Sequence, residues 1–113
     1  MIKVKFLKDR DNLIREIEVT GHADFDEYGK DIVCSAVTVY LINSLNTLTD
    51  ILNINDGLDY LVHEGYFSLN IDYSNLSPGN IHDVDLILKS LEMALVSIEE
   101  NYTEYVNIHY REV

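Results

Sequence analysis

A single cysteine, Cys34, lies a short polar loop downstream of Gly21-His22-Ala23, and Asp31-Ile32-Val33-Cys34 opens a long apolar run. The spacing predicts a thiol in the first turn of a helix, with an imidazole one loop upstream. A thiol becomes a nucleophile on losing its proton, and a helix N-terminus and a nearby histidine both promote that loss. The chemistry implied is acyl transfer. A thiol pKa near ~8.5 falls to roughly 3.5–7.5 in such surroundings. The helix dipole supplies only ~0.3–1 kcal/mol, about one pKa unit at most, so His22 must provide most of the activation. Unpaired N–H groups of the same helical turn would serve as an oxyanion hole.

Each of these residues has a competing structural reading. Cysteine is among the most buried residue types, so Cys34 also fits plain core packing. His22 also fits a hydrogen-bonded loop histidine. Its rivals His63, His82 and His109 fall near a hairpin turn, near a helix start and on the outward phase of a strand, all surface positions. Asp31 would either orient His22, as the third member of a triad does, or cap the helix; capping is the better single role. Beside Cys34, its carboxylate would raise the thiol pKa and oppose the dipole. His22, Asp24, Asp26 and Cys34 match no tight zinc spacing, so no metal site is expected. Gly21 and Gly29 belong to neither phosphate-binding glycine pattern, and no cofactor is expected.

The elements that must position these groups follow from periodicity. Ile2, Val4 and Phe6 alternate with Lys3 and Lys5, and Leu13 to Thr20 alternates similarly, predicting a hairpin ended by Gly21. Gly21 to Lys30 reads as a flexible acidic loop bounded by Gly21 and Gly29. Asp31 to about Asn53 reads as a helix, with Asp31 as N-cap and Cys34 at its third position. It carries no charge until Asp50, so burial on most sides is expected, in the domain centre or under a partner subunit. Leu58–His63 and Tyr66–Tyr73 read as a second hairpin around Glu64-Gly65. Ile81 to Tyr102 follows helical spacing, and Val106, Ile108 and Tyr110 alternate as a last strand. The order ββαββαβ predicts an α+β fold, a mostly antiparallel sheet with two helices packed on it.

Composition narrows the function. The 113 residues suit one domain, 1–113, with 47% hydrophobic and 25% charged residues. A net charge of −12 argues against nucleic-acid binding, which depends on Lys and Arg. It would attract basic partners, or simply keep the chain soluble. No export signal is read at the N-terminus, and no segment reads as apolar for the roughly 20 residues that span a bilayer. A lone cysteine without an export signal points to the reducing cytoplasm.

Gly21-His22-Ala23, followed by Tyr28-Gly29-Lys30-Asp31-Ile32-Val33-Cys34-Ser35-Ala36-Val37, resembles the signature of the ribosomal-processing cysteine protease (Prp) family of Firmicutes and related bacteria. The resemblance extends over length, element order, acidic second helix and short last strand. It implies an endopeptidase that removes the N-terminal extension of large-subunit ribosomal protein twenty-seven, cutting after an aromatic residue. It also implies Cys34 as nucleophile, His22 as general base and Asp31 as an acidic neighbour. The segment between Gly21 and Asp31 corresponds to the family's mobile flap, and homodimers are typical. Ser35 stands where the family commonly has alanine. Phe25, Tyr28 and Tyr40 lie close enough in sequence to meet an aromatic substrate side chain. The alternatives from other classes are a non-catalytic ribosome-assembly binding module, with Cys34 packed inside, and a thiol redox sensor.

Overall fold

The computed structural model describes residues 1–21 and 28–113, with side chains except those of 28–31. The strands are β1 (Ile2–Lys8), β2 (Ile14–Thr20), β3 (Leu58–His63), β4 (Tyr66–Ile71) and β5 (Val106–Glu112). The helices are α1 (Tyr28–Asn46), which runs on into a π-helical turn at Thr47–Ile51, and α2 (Pro78–Asn101). The order is ββαββαβ, as periodicity predicts.

The sheet order is β3-β4-β2-β1-β5. Three strand pairs are antiparallel, and β1 and β5 are parallel. The parallel pair follows from α2, which carries the chain from one end of the sheet to the other before β5 begins. Ile2, Val4 and Phe6 of β1, Ile17 and Val19 of β2, and Phe67, Leu69 and Ile71 of β4 share one face. That face and the inner stripes of both helices form the core: Val33, Val37, Leu41, Leu45 and Leu48 from the α1 side, Val84, Leu88, Leu91 and Leu95 from α2. The opposite face carries Lys3, Lys5, Glu16 and Glu18, where Lys5 Nζ lies 2.8 Å from Glu16 and 3.8 Å from Glu18.

Four boundaries differ from the sequence reading. Helix α1 begins at Tyr28, so Asp31 lies within it and is not its N-cap. Gly29 is likewise helical and does not bound a loop. A glycine in a helix costs about 1 kcal/mol, which the apolar run downstream readily offsets. Strand β4 stops at Ile71 because Asp72 caps a 3-10 turn, Tyr73–Asn75, by accepting from the Ser74 N–H. Tyr73 then turns inward, and its hydroxyl donates to the Ile14 carbonyl at 2.8 Å. Helix α2 starts three residues early: Ser77 Oγ accepts from the Asn80 N–H at 3.1 Å, and Pro78 takes the first helical position.

One exclusion is also corrected. Ile32–Ile51 is 20 residues long with a mean hydropathy of 1.4, long and apolar enough to cross a membrane by length and composition. Its one charge, Asp50, stands next to its end, and its other polar residues, mostly Ser, Thr and Asn, are spaced among Ile, Leu, Val and Ala, so the mean stays high. Its buried stripe packs into the core with the sheet and α2, as the central helix of a globular fold does.

Candidate active site

Strand β2 ends at Gly21, and the chain turns there toward α1. Gly21 has φ +86°, and a Cβ built on it would lie 2.5 Å from the Met1 carbonyl oxygen. Only glycine meets both conditions without strain. Its N–H donates to the Gly65 carbonyl at 3.0 Å, tying the β3–β4 turn to the end of β2. Its own carbonyl oxygen accepts a weak hydrogen bond from Cys34 Sγ at 4.0 Å. The glycine that opens the motif and the cysteine that closes it therefore meet at one end of the sheet.

Cys34 is the seventh residue of α1, in its second turn rather than its first. Its neighbour Val33 is buried too, and its own side chain has 0% exposure. The Thr38 hydroxyl donates to the Cys34 carbonyl at 2.8 Å, one turn on. Two sequence-based expectations change with this position. The macrodipole acts mainly within the first turn, so its help to the thiol is smaller than the motif suggests. The N–H groups left open at this helix start extend no further than residue 30, so the N–H of Cys34 lies inside the helical ladder. An oxyanion hole made from Cys34's own turn is therefore set aside.

His22, Phe25 and the metal candidates Asp24 and Asp26 lie outside the described residues, as do the side chains of Tyr28 and Asp31. The flap implied between Gly21 and Asp31 lies outside them over 22–27, and from Tyr28 onward it is helix. Tyr40 is half exposed on α1. The rival histidines sit on the surface. His63 is exposed at the end of β3, with its ring 6.5 Å from that of Tyr66. His82 lies 3.3 Å from its neighbour Asp83 at the start of α2. His109 faces outward from β5. Among the described residues, no three His, Cys, Asp or Glu side chains gather as metal ligands would.

Sequence reasoning missed the β3–β4 turn as a neighbour of the site. His63, Glu64, Gly65 and Tyr66 reach the Cys34 end because β4 pairs with β2, with Thr20 opposite Tyr66. The Tyr66 hydroxyl donates to Glu18 at 3.0 Å and fixes that corner. The Glu64-Gly65 turn was legible, but only strand order shows which end of the sheet it occupies.

Comparison with known proteins agrees with this arrangement. The ribosomal processing cysteine protease Prp of Bacillus subtilis (strain 168) is 29% identical over 108 residues, covering 96% of each chain. A crystal structure of the essential ribosomal processing protease Prp from Staphylococcus aureus, in complex with a substrate peptide, superposes with a TM-score of 0.81. It is 27% identical and covers 98% of this chain and 100% of that one. A second structure of the S. aureus protease, with a covalently linked product peptide, has a TM-score of 0.78 and 28% identity, with the same coverage. The family model described as cysteine protease Prp matches residues 1–107, so this chain belongs to the Prp family of ribosomal processing cysteine proteases and is a peptide hydrolase.

Proposed function

We propose that the chain, acting over 1–113 as one catalytic domain, removes the N-terminal extension of large-subunit ribosomal protein twenty-seven by cutting after an aromatic residue. Cys34 is the nucleophile and His22 the general base. The observation that carries this reading is the meeting of Gly21 and Cys34 at one end of the sheet, within a family match that spans nearly the whole chain. Cys34 Sγ gives its proton to the His22 imidazole and attacks the scissile carbonyl carbon. The tetrahedral intermediate collapses to a thioester as the imidazolium protonates the leaving amine. Water, deprotonated by the same imidazole, then attacks the thioester, and the thiol and the new carboxylate are released. Since Cys34 is fully covered in this structure, the first step requires its Sγ to become accessible.

The reaction is placed in the cytoplasm, where ribosomal proteins are made. A homodimer would use the outer faces of the helices, where Ile32, Val39 and Tyr40 of α1 and Leu86 and Met93 of α2 are exposed. No charged residue occurs from Ile32 to Thr49, so two copies of a −12 chain would meet there with little repulsion.

The test is incubation with the extended ribosomal protein, followed by intact-mass measurement. Loss of the extension at an aromatic residue, absent in Cys34→Ala, supports the reading; unchanged mass with the wild-type chain refutes it. The pH dependence of Cys34 alkylation separates the alternatives. A thiolate near neutral pH fits the enzyme or a redox sensor, and an inert thiol fits a binding module.

A further inference from the structure

The two free edges of the sheet are treated differently. At the β5 edge, the Ile108 N–H points away from β1 and donates to Glu99 of α2 at 2.7 Å. At the β3 edge, among the described residues, no side chain reaches the backbone of Leu58–His63. Tyr60, Leu61 and Val62 are 49%, 48% and 41% exposed, three consecutive apolar residues on a bare strand. An uncovered apolar edge is a ready template for another strand. From this edge we infer that β3 is the docking strand for an extended segment of the substrate, which adds to the sheet as a sixth strand. The inference rests on the proteolytic reading above and names the element that holds the substrate.

Three observations favour a peptide as the occupant. First, β3 and β4 are joined by a two-residue turn, with His63 opposite Tyr66. The closing pair of such a hairpin exchanges its backbone hydrogen bonds, and the pattern alternates from there. Asp59, Leu61 and His63 thus spend their N–H and C=O groups on β4, while those of Tyr60 and Val62 point outward. A row of alternate donors and acceptors is read by an extended backbone. Second, the edge leads to the nucleophile: β3 ends at the turn whose Gly65 accepts from Gly21, and the Gly21 carbonyl touches Cys34 Sγ. Third, Asp59 and Glu64 flank the apolar triplet and complement a basic ribosomal substrate.

The geometry sets a length requirement. A peptide beside β3 lies three strand spacings from β2, about 14 Å at ~4.8 Å each. Extended chain covers that distance in about four residues. Residues docked on β3 are therefore those beyond about the fourth position from the scissile bond.

The experiment compares KM for the full-length extended substrate and for one trimmed to about four residues on each side of the cut. The wild-type chain should show a roughly tenfold lower KM for the long substrate, the scale of one or two backbone hydrogen bonds. In Val62→Pro, which removes an outward N–H without touching the β3–β4 ladder, the ratio should collapse toward one. Leu61→Pro removes an inward N–H and should lower the thermal midpoint instead. N-methylation of substrate amides beyond the fourth position, assayed with the wild-type chain, should reproduce the KM increase and does not depend on any variant folding. A wild-type ratio near one, or indifference to both Val62→Pro and N-methylation, overturns the inference while leaving cleavage intact. Val62→Pro that halves the mass in solution with the ratio preserved gives the edge to a second copy and also overturns it. Absence of cleavage of the long substrate by the wild-type chain refutes the proteolytic reading itself.

Discussion

Gly21→Ala tests the local geometry that brings the motif together. The residue sits at φ +86°, where an alanine pays about 1–2 kcal/mol relative to its ordinary conformation. The added Cβ would also lie 2.5 Å from the Met1 carbonyl oxygen and 3.3 Å from its carbon. That backbone cannot simply withdraw. The next residue, Ile2, donates its N–H to the Tyr105 carbonyl at 2.7 Å, and Lys3 is in register with Thr20. Forcing a methyl into such a contact adds about 1–3 kcal/mol. The sum is roughly 2–5 kcal/mol, which for a domain of this size lowers the melting temperature by about 10–20 °C. Gly79→Ala is the control: nothing lies within 4 Å of its built Cβ, and it sits in the first turn of α2. It should be neutral or stabilising by up to ~1 kcal/mol. Thermal unfolding followed by circular dichroism measures both. A Gly21→Ala midpoint within about 2 °C of wild type, or equal shifts in the two variants, would refute the argument.

Cys34→Ala should abolish cleavage while costing only about 1–2 kcal/mol of stability, because one buried sulfur is removed from a packed site; activity and melting read separately. Tyr73→Phe should destabilise by about 1–3 kcal/mol, since the buried Ile14 carbonyl loses its donor, and denaturant titration will show it. For Asp9, burial raises the carboxyl pKa, but hydrogen bonds from the Leu13 N–H, Arg15 and the Asp11 N–H together bring it below its ordinary 3.8. A pKa lowered by folding means stability that is present above the unfolded value and lost as the pH falls through the folded one. Wild type should therefore lose stability below about pH 4 more steeply than Asp9→Asn, measured as unfolding midpoint against pH. If the acidic surface steers a basic substrate, kcat/KM should fall as salt rises from 0.01 to 0.15 M; a flat profile leaves the charge as a matter of solubility.

Local pattern made much of the molecule readable. Ile2, Val4 and Phe6 could only alternate between faces, and the uncharged run from Ile32 to Thr49 reads correctly as a helix, although it predicts burial on most sides and the structure buries one stripe and leaves Ile32, Val39 and Tyr40 exposed. Glu64-Gly65 could only turn the chain. These features arise within a few residues, so period and turn chemistry report them directly. Family resemblance over Gly21–Cys34 supplied the activity. Helix ends were less legible, because Gly29 and Pro78 look like breaks until the turns around them are seen to be helical.

What the chain order could not reveal was adjacency. Nothing between Leu7 and Asn107 announces that β5 pairs in parallel with β1, or that β4 lies beside β2 and brings Gly65 to Gly21. Those contacts join residues far apart in sequence, and they depend on how two helices share a single apolar sheet face. The same packing placed Cys34 a turn deeper in its helix than its motif suggests and sealed its sulfur. The residue type declares what the thiol can do; its access, and the strand beside which a substrate would lie, are properties of the assembled sheet.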